Sequence, residues 1–197
     1  NNNLTRGFSI MSKILVDTID TRSGTSNITI GSSNASQITL KSGATLTNFP
    51  ANTPAFSARS SSAQSITSGT YTKIDYDTEI FDTDSAYDHS TNQRFTVPSG
   101  KAGKYFFYAQ ALADAASAAN LENCQMTFYK NGSVFKKNAW NFNSNDIYYA
   151  GMQISSVMDL SAGDYIEVYL RISDASGNPV IDGSDSTLSE FTGFKLS

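Results

Sequence analysis

A chain of 197 residues with a net charge of −4, 16% charged side chains and no basic block excludes non-specific nucleic-acid binding, which needs clustered Lys and Arg to release counterions. No stretch approaches the roughly 20 apolar residues of a membrane-spanning helix, and no secretory signal pattern is visible. One cysteine (Cys124) and one histidine (His89) exclude an intrachain disulfide and the usual zinc sites.

Abundant aromatics (12 Phe, 10 Tyr) with Ser, Thr, Asn and Gly favour β-structure joined by polar turns. Residues 25–49 carry a short repeat: Asn27-Ile28-Thr29-Ile30, then Gln37-Ile38-Thr39-Leu40, then the looser Ala44-Thr45-Leu46-Thr47. Turn residues separate the copies. Burying an Ile or Leu contributes only ~1.5–3 kcal/mol, while ordering each residue's backbone costs ~1–2 kcal/mol. So thin an apolar stripe cannot order this segment in a single chain. The pattern predicts a self-associated β-stem in which neighbouring copies shield Ile28, Ile30, Ile38, Leu40 and Leu46, with a floppy linker as the alternative. Residues 1–50 are read as an N-terminal anchor and stem.

The two prolines of Asn48–Phe56 mark a boundary. From residue 53 to 197 the texture is that of an all-β head. Tyr71–Phe81 alternates, predicting one strand with Ile74, Tyr76, Thr78 and Ile80 on one face and Lys73, Asp75, Asp77 and Glu79 on the other. Lys104–Ala115 reads as a long, largely buried strand, and Ala113–Glu122 as a loop or strand exit. The strand around Cys124, Met126 and Phe128 ends at Asn131-Gly132, the strongest short hairpin signal. Met152–Ser173 reads as two strands around a Ser-Ala-Gly-Asp turn, and Ser189–Ser197 as a closing strand. Eight or more strands with short turns suggest a sandwich or jelly roll.

Few residues are suited to chemistry. His89 has no nucleophile motif nearby and reads as a solvated loop residue; Cys124 reads as a buried thiol. Asp82, Asp84 and Asp88 are oxygen ligands that calcium could use, with a charged solvent face as the competing reading. The acidic loop Asp174–Ser186 is a second such candidate. Otherwise no cofactor is expected. Trp140, Phe142, Tyr148 and Tyr149, interleaved with Asn, Ser and Lys, suit recognition of a sugar or protein surface; the competing reading places them in the core or between subunits.

Five stretches in order, Pro54–Ala58 (PAFSA), Gly103–Ala111 (GKYFFYAQA), Tyr129–Gly132 (YKNG), Leu160–Leu170 (LSAGDYIEVYL) and Ser189–Leu196 (SEFTGFKL), resemble the globular head of the complement first component, q subunit, within the tumour-necrosis-factor-like superfamily. The resemblance implies a ten-stranded jelly roll, a tight homotrimer, and a ligand-binding rather than enzymatic role. Met11–Thr25 (MSKILVDTIDTRSGT) with the repeats after it resembles the start of structural proteins of marine tailed phages. There is no Gly-X-Y stalk, so the β-stem takes its place.

Together these features predict a homotrimeric fibre or spike on the outer surface of a tailed-phage virion. The N-terminal segment would hold other virion proteins, and the head would bind a host cell-surface glycan or protein. Capsid decoration and a secreted complement-type ligand-binding or lectin-like protein are the alternatives. A depolymerase using Asp82 with Asp88 is a further one, requiring a carboxylate pair at glycosidase separation.

Overall fold

The computed structural model describes residues 42, 52–116, 120–142, 147–185 and 187–196. The predicted stem core, Ile28, Ile30, Ile38, Leu40 and Leu46, lies outside the described residues. All strands below belong to the unit Asn48–Ser197.

The described residues contain strands and turns and no helix. The strands are β1 (Ala55–Arg59), β2 (Gln64–Ser65), β3 (Tyr71–Lys73), β4 (Thr78–Asp82), β5 (Tyr87–Asp88), β6 (Arg94–Thr96), β7 (Gly103–Asp114), β8 (Leu121–Lys130), β9 (Ser133–Asn141), β10 (Tyr149–Leu160), β11 (Tyr165–Asp174), β12 (Val180–Asp182) and β13 (Glu190–Lys195). They form two sheets. In the first, β2, β12, β7, β13, β1 and β4 are neighbours in that order, with β10 on the other edge of β7. In the second the order is β5, β6, β11, β8 and β9, with β3 also on β11. The pairings are antiparallel, and β9 and β10 are edge strands.

Strict alternation builds the core. Tyr105, Phe107, Ala109, Ala111 and Ala113 of β7 face Cys124, Met126 and Phe128 of β8 and Ile166, Val168, Leu170 and Ile172 of β11, all buried. The β8–β9 hairpin turns on Asn131 and Gly132, both at positive φ (51° and 75°), the geometry a two-residue hairpin loop needs. It is tied to the β10–β11 turn through Asp164. That carboxylate accepts from Asn131 Nδ2 (2.7 Å), Lys130 Nζ (2.9 Å) and the Ser161 N–H (2.9 Å).

The Tyr71–Phe81 segment differs from its predicted single strand. Its first part, β3, pairs with β11, and its last part, β4, pairs with β1 in the other sheet. Residues 74–77 cross between the sheets, so Ile74 and Tyr76 are buried while Ile80 stays 53% exposed. Asp77 sits at the crossing, not on a free solvent face: its carboxylate accepts from the Ser61 N–H (2.8 Å) and hydroxyl (2.6 Å). Alternation specifies faces but not which sheet a face belongs to.

Gly193 lets β13 lie close to β7. A Cβ there would stand 2.5 Å from Phe107 Cδ1 and 3.0 Å from the Phe106 carbonyl oxygen. Gly193→Ala is therefore expected to destabilise the head by about 1–3 kcal/mol through overpacking, read as a lowered urea midpoint; an unchanged midpoint would contradict this packing.

Candidate functional site

The outward face of the first sheet is the most informative surface. The register places Val157 beside Phe106 and Phe106 beside Phe194; the last two rings stand 5.6 Å apart. The next row is Ser155, Tyr108, Thr192 and Ser57, with Phe81 beyond. The third is polar: Gln153, Gln110 and Glu190. Tyr108 donates to Gln110 Oε1 (2.8 Å), Gln110 Nε2 donates to the Thr187 carbonyl (3.0 Å), and the Ser57 hydroxyl donates to Glu190 Oε1 (3.1 Å). An aliphatic and aromatic band thus grades into an ordered polar field across one sheet face. Val157 is 55% exposed, and Phe81 is exposed too. Phe106 and Phe194 are half-buried, and a partly exposed apolar band on an outward sheet face is a candidate interaction surface.

A second surface is the free edge made by β9 and β10. Lys136 Nζ donates to the Ser155 carbonyl (2.9 Å) and Asn138 Nδ2 to the Gln153 carbonyl (2.7 Å), so side chains of β9 occupy carbonyls on the open side of β10. Val134, Phe135 and Trp140 are exposed along β9. An open groove of about 440 Å³ runs between the two strands, lined by Tyr108, Asn138, Trp140, Gly151 and Gln153 among others.

The predicted recognition aromatics fall into two pairs. Trp140, 53% exposed in the groove, has its ring 6.4 Å from that of Phe142, which packs against the core. Tyr148 and Tyr149 stand edge to face at 4.6 Å, and Tyr149 is 54% exposed. Partial desolvation, then the nearby Asp114, raises the Tyr149 hydroxyl above its ordinary pKa. Sequence reasoning missed Phe106, Val157 and Phe194. The missed signal was Tyr105-Phe106-Phe107-Tyr108: aromatics on both parities of a strand call for cover on both faces, and the core supplies only one.

No family model and no curated protein matches the chain. Among solved structures, a crystal structure of murine APRIL at pH 5.0 is similar at TM-score 0.52 and 14% identity, over 72% of this chain and 98% of that one. The globular domain of zebrafish complement 1qA protein (TM-score 0.47, 17% identity, 73% and 98% covered) and Eiger TNF from S. frugiperda (0.49, 13%, 73% and 90%) are also similar. The head is a jelly roll. At these identities the likeness concerns the fold.

On this jelly roll the acidic candidates serve their own turns. Asp82 accepts from the N–H groups of Asp84 (3.2 Å) and Tyr87 (2.7 Å). The Thr83 hydroxyl (2.7 Å), then the Lys101 ammonium (3.2 Å), hold Asp84 below the usual carboxylate range. The Thr91 N–H (2.9 Å) and then the Asn92 amide (2.6 Å) hold Asp88 down to about 2. A glycosidase acid needs its pKa raised, so Asp88 is shifted the wrong way for that role. Among the described residues no three His, Cys, Asp or Glu side chains gather as a metal cluster. His89 is exposed, its Nδ1 lying 3.1 Å from the Asp77 main-chain oxygen. Cys124 is fully buried and desolvation pushes its thiol up to about 12.

The depressed acids give the jelly roll a pH signature. The Lys130 ammonium and the Asn131 amide hold Asp164, like Asp88, at about 2, against an ordinary 3.8. A lowered folded-state pKa contributes stability that is present above the unfolded value and lost as pH falls through the folded one. Unfolding free energy is therefore expected to fall between about pH 4 and pH 2. Asp164→Asn should shrink that fall in a circular-dichroism titration; a variant keeping the whole of it would contradict the role given to Asp164.

Proposed function

We propose that the chain is a homotrimeric stem-plus-head protein of a virion's outer surface, a fibre or surface appendage of a tailed phage, whose jelly-roll head binds rather than catalyses. The observation carrying the assembly is the partly exposed Val157–Phe106–Phe194 band together with the aromatic β9–β10 edge. Face and edge are different surfaces, so docking the edge of one copy on the face of the next is a heterologous contact that closes into a ring. The resemblance to complement-type heads supports three copies.

In such a ring Trp140 and the groove beside it serve assembly, and Tyr148 and Tyr149, where the β9–β10 connection ends, remain for a glycan or protein on the host. Three weak contacts then act together through effective concentration, so modest affinity per head suffices. The phage-like N-terminal segment is the part assigned to anchoring, through other virion proteins. The fold equally suits a secreted complement-type ligand-binding head, and location distinguishes the two. An antibody raised against the chain should decorate the outside of intact phage particles in electron micrographs. Unlabelled particles, with the chain recovered free from producing cells, would overturn the virion reading.

A further inference from the structure

The outward face of the second sheet is aromatic and basic. By alternation with the buried core residues, β11 turns Tyr165, Tyr169 and Arg171 outward, β8 turns out Tyr129, and β3 adds Tyr71. Three of the tyrosines form one layer. The rings of Tyr129 and Tyr169 stand 4.2 Å apart, and Tyr71 meets Tyr129 at 6.4 Å. Tyr71 reaches across the sheet: its hydroxyl donates to Gln125 Oε1 on β8 and accepts from Lys137 Nζ on β9 at 2.9 Å. Thr127, in register between Tyr169 and Lys137, has no exposure although it points outward. The surrounding side chains therefore lie across the sheet instead of standing off it.

Cations flank this layer. Lys137 Nζ lies 4.9 Å from the centroid of the Tyr71 ring, and Arg94 Cζ 4.4 Å from that of Tyr165. Arg171 donates to the Gly69 carbonyl (2.7 Å) and to Asn123 Oδ1 (2.6 Å). All three touch rings or neutral oxygens, and among the described residues no carboxylate stands at ion-pair distance from any of them. The acids set in register here are already used. Glu167 holds Lys73 (3.0 Å), and Asp88, across from Arg94, accepts from Thr91 and Asn92. On a chain of net charge −4, this face keeps uncompensated positive charge.

We propose that the Tyr71–Tyr129–Tyr169 layer, with Lys137, Arg94 and Arg171, is a binding face for an acidic glycan, one whose sugars carry carboxylate groups. Flat aromatic surface takes the C–H face of a sugar ring, and the cations supply the counter-charge a carboxylate needs, arginine as a bidentate fork. A protein partner fits less well. β8 and β11 are interior strands and offer no main-chain edge to an extended peptide. Their outward positions from Asn123 to Tyr129 and from Tyr165 to Ser173 hold no aliphatic side chain to make the apolar centre of a protein interface. The face lies on the opposite side of the sandwich from the Val157–Phe106–Phe194 band, so it goes beyond the proposed assembly and the Tyr148–Tyr149 surface and stands without either.

The test titrates the full chain with oligogalacturonate, its fully methyl-esterified form and poly-glutamate, followed by calorimetry and tyrosine fluorescence. Oligogalacturonate should bind, perturb tyrosine emission and weaken as salt rises. Esterification, which removes the charge and keeps the sugar rings, should cost at least about tenfold in affinity, and poly-glutamate should be weaker by a similar factor. Lys137→Ala, at an exposed position, and Tyr169→Ala should each cost about tenfold or more. Lys104→Ala, on the other sheet, should change nothing. A wild-type chain that ignores oligogalacturonate at millimolar concentration would overturn the proposal. Equal affinity for the ester would overturn the role of charge, and equal affinity for poly-glutamate would replace the glycan with an acidic peptide. Binding kept by either site variant, or lost in Lys104→Ala, would place the contact elsewhere. Should Tyr169→Ala not fold by circular dichroism, Lys137→Ala decides alone.

Discussion

Phe191→Ala is expected to leave the head barely folded. Phe191 has no solvent exposure and stands at the centre of the aromatic core. Phe56 meets it edge-on at 4.9 Å, and Tyr76 and Tyr87 lie at 5.8 Å, Phe107 at 6.1 Å and Phe128 at 6.2 Å. These partners come from five separate places in the chain and from both sheets, so the ring joins the two layers. Truncation removes the buried area and leaves a cavity that its large neighbours cannot fill, a cost of about 3–5 kcal/mol. Each lost aromatic pair adds roughly 0.5–1.5 kcal/mol. Against a typical total of about 5–15 kcal/mol, that is a large share of the stability. Urea unfolding followed by near-ultraviolet circular dichroism measures it. A loss below about 1 kcal/mol would show that the two layers do not depend on this ring.

Phe106→Asp and Val157→Asp are expected to dissociate the proposed homotrimer while leaving the head folded. Both side chains point away from the core, and they are register partners on the outward face. Val157 is exposed in a single copy, so an aspartate there stays hydrated; Phe106→Asp costs the single copy the half-buried ring contact with Phe194 but leaves the core between the sheets untouched. In the assembly the same carboxylate is buried without a partner, which is strongly unfavourable. The midpoint concentration for association should rise by at least about 100-fold for either variant. Trp140→Ala, on the complementary edge, should weaken association in the same direction. Light scattering across a dilution series reads the effect, and unchanged circular dichroism confirms folding. Full association of both aspartate variants would place the contact on another surface.

Local signals carried much of the fold. The Asn131-Gly132 turn, the Gly163 turn and the period-two strands on either side were legible because each depends on residues within a few positions. The crossing at residues 74–77 was not legible, because the choice of sheet is made by β1 and β11, distant in sequence. The surface proposed for assembly was hidden for the same reason. Phe106 reads as a core residue until the register shows that Phe107, not Phe106, faces β8 and β11. Trp140 was found as an aromatic set among polar residues, but its edge position follows from β9 pairing only with β8 among the described strands. Asp174 was legible as an acid in a polar loop; its burial comes from the parity it shares with Ile172, a feature of β11 as a whole.

The central claim is that copies of this chain cover one another's apolar surfaces. Sedimentation equilibrium of the full chain at micromolar concentration tests it most directly. The predicted result is a mass three times that of the 21.3 kDa chain, reduced to a single chain by Phe106→Asp. A wild-type mass of one chain, with the jelly roll intact by circular dichroism, would contradict it.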